Sequence, residues 1–183
     1  TGIAVPLNIE GTIDLMTRTQ TGMNHIVFIS DDRMGSAMAR AQLKRVMIEK
    51  YRGITVEYFS PSKTSTNQLL DRLGEYDNKT GILFYTWYSD GIGAEELYMS
   101  NNIYKILSGF TNAPVFSLMD CGMEEGYIAG GNFNDLKSQG EAVIGILKQV
   151  LKGKEPRTIP VKTLNNQRNH LNYKALSTCH INN

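Results

Sequence analysis

The chain has 183 residues, with 19 lysines and arginines against 18 aspartates and glutamates. A chain of this length suits one domain and can bury enough apolar surface to fold without disulfide or metal staples. The balanced charge, without a basic run, gives no electrostatic basis for binding nucleic acid or an anionic membrane surface, and no stretch approaches the roughly 18 continuous apolar residues of a membrane span.

Strand signals alternate with helical signals along the chain. The first residues, TGIAVPLNIEG, lack the basic and apolar regions of a signal peptide, and Thr1 suggests a chain that was processed or cut from a longer one. A helix is predicted next, over 9–19. Apolar or alternating runs then predict strands at 25–30, 54–60, 81–87 and 114–119, with weaker signals at 126–131 and 158–163.

Helical periodicity fills the gaps between these strands, at 35–51, 65–76, 94–110 and 134–153. In the first of these segments the spacing places Met38, Gln42, Val46 and Met47 near one face. Strands that are apolar throughout suit a sheet covered on both faces. The sequence therefore predicts a doubly wound α/β fold with a mostly parallel sheet, followed from 164 to 183 by a polar tail with one short helical possibility at 173–176.

Ligands of such folds bind beyond the carboxyl ends of the strands, where loops and helix N-termini converge. The four main strands are followed by SDDRMGS, SPSKTST, TWYSDGIG and DCGMEEG. We expect aromatic side chains there to form flat walls and polar side chains to fix a small molecule by hydrogen bonds. The predicted ligand-binding residues are Asp31, Asp32, Ser36, Trp87, Tyr88, Ser89, Asp90 and Asp120.

Each of these residues also has a purely structural interpretation. Loops are polar in any case, and Trp87 would then only cover the edge of the sheet. Asp31 and Asp32 would then satisfy backbone N–H groups at the start of the 35–51 helix, where negative groups are favoured. Both interpretations stay open for the individual residues, whereas the four loops together favour a small-molecule site.

Patterns for catalysis and cofactor binding are absent from the sequence. It has no GxSxG elbow and no phosphate-binding GxxxxGK[ST] loop, and GIGAEE places Glu96 where a dinucleotide fingerprint needs glycine. Three histidines and two cysteines, without a CxxC pair, do not assemble a zinc site by spacing. We therefore predict no enzyme activity, no cofactor and no metal. Two free thiols are expected at Cys121 and Cys179 rather than a disulfide.

One alternative is a phospho-acceptor receiver domain. Receiver domains have an acidic pair after the first strand and an aspartate after the third, and carboxylate oxygens of this kind bind Mg²⁺. Asp31, Asp32 and Asp90 could provide them. However, GYIAGGNFND lacks the required lysine, and Asp90 lies several residues too far beyond its strand. The receiver interpretation is therefore the less favoured one.

Three segments resemble ABC-transporter-type periplasmic substrate-binding proteins. TGIAVPLNIEGTIDLMTRTQTGMNHIVFISDD is similar to their inter-lobe crossover with the helix and strand that follow it. APVFSLMDCGMEEGYIAGGNFNDLKSQGEAVIGILKQVLKGKEPRTIPV is similar to their late segment, and NHLNYKAL to their closing residues. The loop TWYSDG is more aromatic than the family's usual loop, so the family's common ligands do not carry over.

The resemblance implies a type I periplasmic binding fold, in which two Rossmann-like lobes close over a small solute. Residues 1–163 would form one ligand-binding lobe with a returning crossover segment, and 164–183 a C-terminal tail. The first lobe would be largely absent, so the apolar face of 134–153 (Leu136, Val143, Leu147 and Val150) should be exposed, repacked or used for self-association. A homodimer is one such outcome.

The same resemblance implies an extracytoplasmic, non-catalytic role. The implied ligand is a sugar, an amino acid or another ring-bearing solute. The implied partner is a membrane histidine kinase, for which the domain would act as a sensor tethered to the inner membrane, or the permease of an ABC transporter. The tail favours the sensor slightly, because it lacks the clean stop expected of a transporter component.

Overall fold

The computed structural model describes residues 1–88, 100–179 and 181. Its strands are β1 (Gly2–Ala4), β2 (His25–Ile29), β3 (Thr55–Phe59), β4 (Thr80–Phe84), β5 (Val115–Ser117), β6 (Gly130–Phe133), β7 (Val161–Thr163) and β8 (Arg168–Leu171). Its helices are α1 (Ile9–Thr19), α2 (Met34–Lys50), α3 (Thr66–Leu73), α4 (Ser100–Gly109), α5 (Leu136–Leu151) and α6 (Tyr173–Thr178).

Six strands form the main sheet, in the order β3-β2-β4-β5-β6-β8. The first five run parallel, and β8 pairs antiparallel with β6 at the edge. β6 carries glycines where neighbouring backbones come close. A Cβ at Gly131 would collide with the carbonyl oxygen of Ser117. This mixed α/β architecture with a mostly parallel sheet confirms the predicted fold class.

The apolar strands are buried on both faces because consecutive side chains point to opposite sides of a sheet. In β2, Ile26 and Phe28 pack in a cluster with residues of α1, α2 and α6. Val27 and Ile29 pack in a second cluster with residues of α3 and α4. The sheet is therefore covered by helices on both sides.

A second, smaller sheet lies outside this layered body. β1 and β7 pair in parallel, with Gly2 opposite Val161 and Ala4 opposite Thr163, and α5 packs against β1. None of the 16 residues of α5 is buried. Leu136, Val143, Ile144, Leu147 and Leu151 are each at least 50% exposed. Of the four residues predicted for the exposed face, Leu136, Val143 and Leu147 are exposed, whereas Val150 is half-buried.

Three details differ from the sequence-based expectations. The polar segment Arg168–Leu171 is a strand, because it pairs with the glycine-rich β6 at the sheet edge, where polar side chains are tolerated. β4 ends at Phe84, three residues before the predicted end. Met38 is exposed, since α2 buries the face formed by Ser36, Ala39, Leu43, Val46 and Met47. Among the described helices, none has the length and apolarity to cross a membrane.

Candidate functional site

The loop after β2 and the start of α2 form a buried hydrogen-bond network. Ser36 Oγ donates to Asp31 Oδ1 over 2.5 Å, and Arg33 N donates to the same oxygen over 3.1 Å. Ser36 Oγ also lies 2.9 Å from Thr86 Oγ1, and Asp31 N donates to Thr86 Oγ1 over 3.3 Å. The ends of β2 and β4 are thereby joined at the carboxyl edge of the sheet.

Asp32 connects the same loop to the one after β3. Its Oδ2 accepts from Ser62 N over 3.0 Å, and Arg40 Nη2 lies 3.7 Å from its Oδ1. Burial opposes ionisation of Asp32, but the hydrogen bonds from Ser62 prevail and lower the pKa of this carboxyl. Arg40 Nη1 also donates to Ser30 Oγ and to Asp31 O, over 2.7 and 2.6 Å. Asp32 therefore holds two loops together at the rim.

Aromatic side chains stand beside this network. The guanidinium carbon of Arg33 lies 4.6 Å from the centroid of the Tyr88 ring. Tyr85 is half-buried, and a Cβ added at Gly35 would lie 3.3 Å from its hydroxyl, so the phenol reaches the first turn of α2. Burial raises the pKa of Tyr85, and the nearby charge of Asp31 raises it further.

Trp87 lies in the core beneath the rim. Its side chain is fully buried, and its Nε1 donates to Thr66 Oγ1 at the start of α3 over 3.0 Å. It packs in the cluster that also holds Tyr104 and Ile128. In this position the indole offers no surface to a ligand, so a stacking role for Trp87 stays a prediction that requires the ring to leave the core.

A cavity of about 250 Å³ opens between the carboxyl ends of β4, β5 and β6 and the segment that follows β1. Its walls are mostly apolar, and Tyr85, Leu118, Phe133 and Leu7 contribute to them. Asp120, Asn134 and Gln139 supply polar groups. An apolar cavity with a few convergent polar groups is the usual form of a small-molecule site.

Asp120 also lines a neighbouring cavity of about 460 Å³, between the 120–125 turn and the start of α5. Its Oδ2 accepts from Leu136 N over 2.8 Å, so this carboxylate is already bonded to the N-terminus of α5. Asp135 caps the same helix by accepting from Ser138 N. The acidic turn is thus tied to the helix that leaves the main sheet.

Asn134 joins the segments that connect the two sheets. It is buried, its Nδ2 donates to Leu164 O over 3.3 Å, and its Oδ1 accepts from Asn166 N over 3.1 Å. Leu164 N in turn donates to Ala4 O over 2.9 Å. The side chain of Asn134 therefore joins the segments that follow β6 and β7, and the bond from Leu164 N connects them to β1. Asn134 also lines the 250 Å³ cavity.

Five predicted ligand-binding residues follow strands at the shared carboxyl edge, namely Asp31, Asp32, Trp87, Tyr88 and Asp120, and a sixth, Ser36, lies in the first turn of α2. Ser89 and Asp90 lie outside the described residues. Sequence analysis did not single out Arg33, Tyr85, Thr86, Phe133 or Asn134. Ending β4 at Phe84 would have identified Tyr85 and Thr86 as the first loop residues, whereas the position of Asn134 required the tertiary structure.

The described residues contain no group of three or more His, Cys, Asp or Glu side chains that could hold a metal ion. Cys121 and Cys179 are both free, as expected. Burial raises the pKa of the Cys121 thiol, which opposes its use as a nucleophile. The described part of the site is thus suited to binding by hydrogen bonds and apolar contact.

No protein-family model matches the chain, and no curated protein matches its sequence. Solved structures do match its fold. An ABC domain in complex with L-Trp from Streptococcus pneumoniae has a TM-score of 0.74 at 16% identity. CD0873 from Clostridium difficile, a substrate binding protein with adhesive properties in a ligand-free, open structure, has a TM-score of 0.67 at 13% identity. A conserved domain protein from Vibrio cholerae has a TM-score of 0.71 at 15% identity.

These matches cover 100% of this chain but only 60%, 59% and 58% of the three matched chains, in the order above. At such low identity the likeness establishes the fold and no more. The chain therefore shares its fold with part of each of these structures, one of which is a substrate binding protein.

Proposed function

We propose that this chain is the ligand-binding lobe of a non-catalytic, extracytoplasmic module that captures a small solute. The observation that carries the proposal is the arrangement of the carboxyl edge. There the ring of Tyr85 lines a mostly apolar cavity of about 250 Å³, and the network of Asp31, Ser36 and Thr86 joins the ends of β2 and β4 beside Tyr85. The hydrogen-bonded crossings between the two sheets line the same cavity.

A second lobe would complete the module. Among the described residues, β1 and β7 form a sheet of two parallel strands and α5 has no buried residue, and both features suit part of a larger α/β layer. About two-fifths of each matched chain lies outside the part that this chain covers, which leaves room for such a lobe. Solute held between the lobes would favour their closed arrangement, and the crossings at Asn134 would act as the hinge.

The first test is a thermal-shift screen of sugars, amino acids and nucleobases on the full-length protein. A solute present at 100 times its dissociation constant stabilises the folded state by about 2.7 kcal/mol, which raises the melting temperature by several degrees. We expect at least one compound to give such a shift. The absence of a shift with every compound would overturn the proposal.

The downstream partner is proposed to be a membrane histidine kinase, with the module as its sensor tethered to the inner membrane. The alternative is a solute-binding protein that serves the permease of an ABC transporter, which is favoured by the likeness to a substrate binding protein. Ligand-dependent autophosphorylation in native membranes would support the sensor, whereas solute uptake that depends on this protein would support the transporter.

Treatment with acetyl phosphate and Mg²⁺ distinguishes a sensor or a transporter component from a receiver domain. A binding module stays unmodified under these conditions, whereas a receiver domain becomes phosphorylated on an aspartate. The mass of the intact protein measures the difference directly.

A further inference from the structure

One buried carboxylate oxygen at the rim has no hydrogen-bond donor. Asp31 is 5% exposed, and its Oδ1 already accepts from Ser36 Oγ and Arg33 N. Its Oδ2 accepts no hydrogen bond from any residue that the structure describes. A buried carboxylate oxygen without a hydrogen-bond donor lowers the stability of the folded state. A group that donates a hydrogen bond to this oxygen would therefore be favoured here.

The nearest cation to this oxygen is Arg33, and it is loosely held. Arg33 Nε lies 3.5 Å from Asp31 Oδ2, which is an ion pair beyond good hydrogen-bond length, and the side chain is 67% exposed. An ion pair with one partner so exposed contributes little to stability. Moving Arg33 away from Asp31 therefore costs little free energy.

Two aromatic rings flank the same place. Both belong to the segment that follows β4: Tyr88 lies under the Arg33 guanidinium, and Tyr85 reaches the first turn of α2. Aromatic faces attract cations through their electron-rich π systems. The guanidinium of Arg33 thus occupies a position that suits a positive group between a carboxylate and an aromatic ring.

The charges of the two aspartates at the rim are balanced only while Arg33 stays beside Asp31. Asp31 and Asp32 face Arg33 and Arg40, and Arg40 is committed to Ser30, to the Asp31 carbonyl and to Asp32. If Arg33 moves into solvent, one negative charge stays without compensation. An incoming group with one positive charge would restore the balance.

We propose that Asp31, Tyr85 and Tyr88 form a subsite for the ammonium group of the solute, which Arg33 covers while the site is empty. This inference rests on the proposed function. Tyr85 belongs to the subsite and also lines the 250 Å³ cavity, so an apolar body attached to the ammonium group extends into that cavity. The solute class is a primary amine with an apolar or ring-bearing body.

The test uses three probes that share an indole ring and differ in the end group of the side chain. Tryptamine carries an ammonium group, tryptophol a hydroxyl group and indole-3-propionate a carboxylate. Binding to the full-length protein is measured by calorimetry, alongside the solute screen described above. We expect tryptamine to bind at least about tenfold more tightly than tryptophol, because a charge-assisted hydrogen bond and a cation–π contact are added.

Two variants locate the effect. Arg33→Gln removes the competing cation from an exposed position and should tighten tryptamine binding several-fold without affecting tryptophol. Arg45→Gln, at an exposed position of α2 away from the rim, is the matched control and should change neither. Asp31→Asn should remove the preference for tryptamine. Because Asp31 is buried and its variant could fail to fold, the Arg33 comparison by itself keeps the proposal falsifiable.

Several results would overturn the subsite. One is tighter binding of indole-3-propionate that is lost in Arg33→Gln, since Arg33 would then bind an anion. Another is equal binding of tryptamine and tryptophol. If no amine binds while the screen finds another solute, the subsite falls and the proposed function stands. If nothing in the screen binds, both fall.

Discussion

Helices α1 and α5 have apolar faces of similar kind but entirely different surroundings. Six of the 11 residues of α1 are buried, because the helix lies between α2 and the strands β5, β6 and β8. None of the 16 residues of α5 is buried, and five of its large apolar side chains are at least half exposed. An amphipathic sequence therefore predicts that the apolar face of a helix packs against another surface. It does not indicate whether that surface belongs to the same chain.

Truncations of one apolar side chain in each helix should give the largest difference. Ile13→Ala in α1 opens a cavity in a fully buried cluster and should lower the free energy of unfolding by about 2–5 kcal/mol. Leu147→Ala in α5 removes a half-exposed side chain and should cost less than about 0.5 kcal/mol. Urea unfolding of this chain measures both. Equal losses would mean that α5 is covered in solution.

A junction variant tests how firmly the two regions are connected. Asn134→Ala removes the bonds to Leu164 O and Asn166 N and should cost about 1–3 kcal/mol, since these backbone groups lose their partner near a buried site. Asn169→Ala removes an exposed side-chain bond to Asn132 and serves as the control. The same urea titration compares them. A loss for Asn169→Ala as large as for Asn134→Ala would contradict the role of Asn134.

The cap of α5 should make a smaller, pH-dependent contribution. Hydrogen bonds from the backbone and side chain of Ser138 lower the pKa of Asp135 below its ordinary value of 3.8. Stability from this cap is therefore fully present above the unfolded-state pKa and is lost as the pH falls through the lower folded-state pKa. Asp135→Ala should cost about 1 kcal/mol at pH 7, and less at pH 2.

Asp135→Asn is the matched control, because asparagine caps helices without a charge. Its stability relative to Asp135→Ala should not depend on pH in this range. A wild-type advantage over Asp135→Ala that persists unchanged to pH 2 would show that the carboxylate charge is not involved. Unfolding curves in urea at several pH values make the comparison.

The smallest effect on stability, under about 0.5 kcal/mol, is expected for Leu147→Glu. Its consequence should instead be seen in association, because it places a charge in the exposed apolar face of α5. We expect the average mass of this chain to rise with concentration in light scattering and the variant to stay monomeric. Gln149→Glu adds the same charge two residues further on, outside the row of apolar side chains, and is the control. A wild-type chain that is monomeric at every concentration would contradict the expectation.

The fold was predictable because its strongest signals are local. The strand HIVFI is apolar after its first residue, and Ile9–Thr19 has the spacing of an amphipathic helix, so both were found from the sequence. Arg168–Leu171 was missed because its strand conformation depends on the neighbouring glycines of β6 rather than on its own composition. Met38 was placed on the wrong face because α2 carries apolar residues all around.

The site was predictable in its location but not in its contacts. The rule that ligands bind at the carboxyl ends of parallel strands led to Asp31, Ser36 and Asp120. It could not show that Asp120 is bonded to Leu136 N or that Trp87 turns inward to Thr66, because both depend on how helices pack on the sheet. Nor could it bring Asn134 together with Leu164, which lies 30 residues further along.

The inward position of Trp87 gives the molecule a natural fluorescent reporter. It is the single tryptophan of the chain, and it is shielded from water by the α3 and α4 side of the core. Its emission should lie at short wavelength and resist quenching by iodide. If Trp87 stays in the core when a solute binds, a shift of this emission would follow movement of the segment after β4 against α3 rather than contact with the bound molecule.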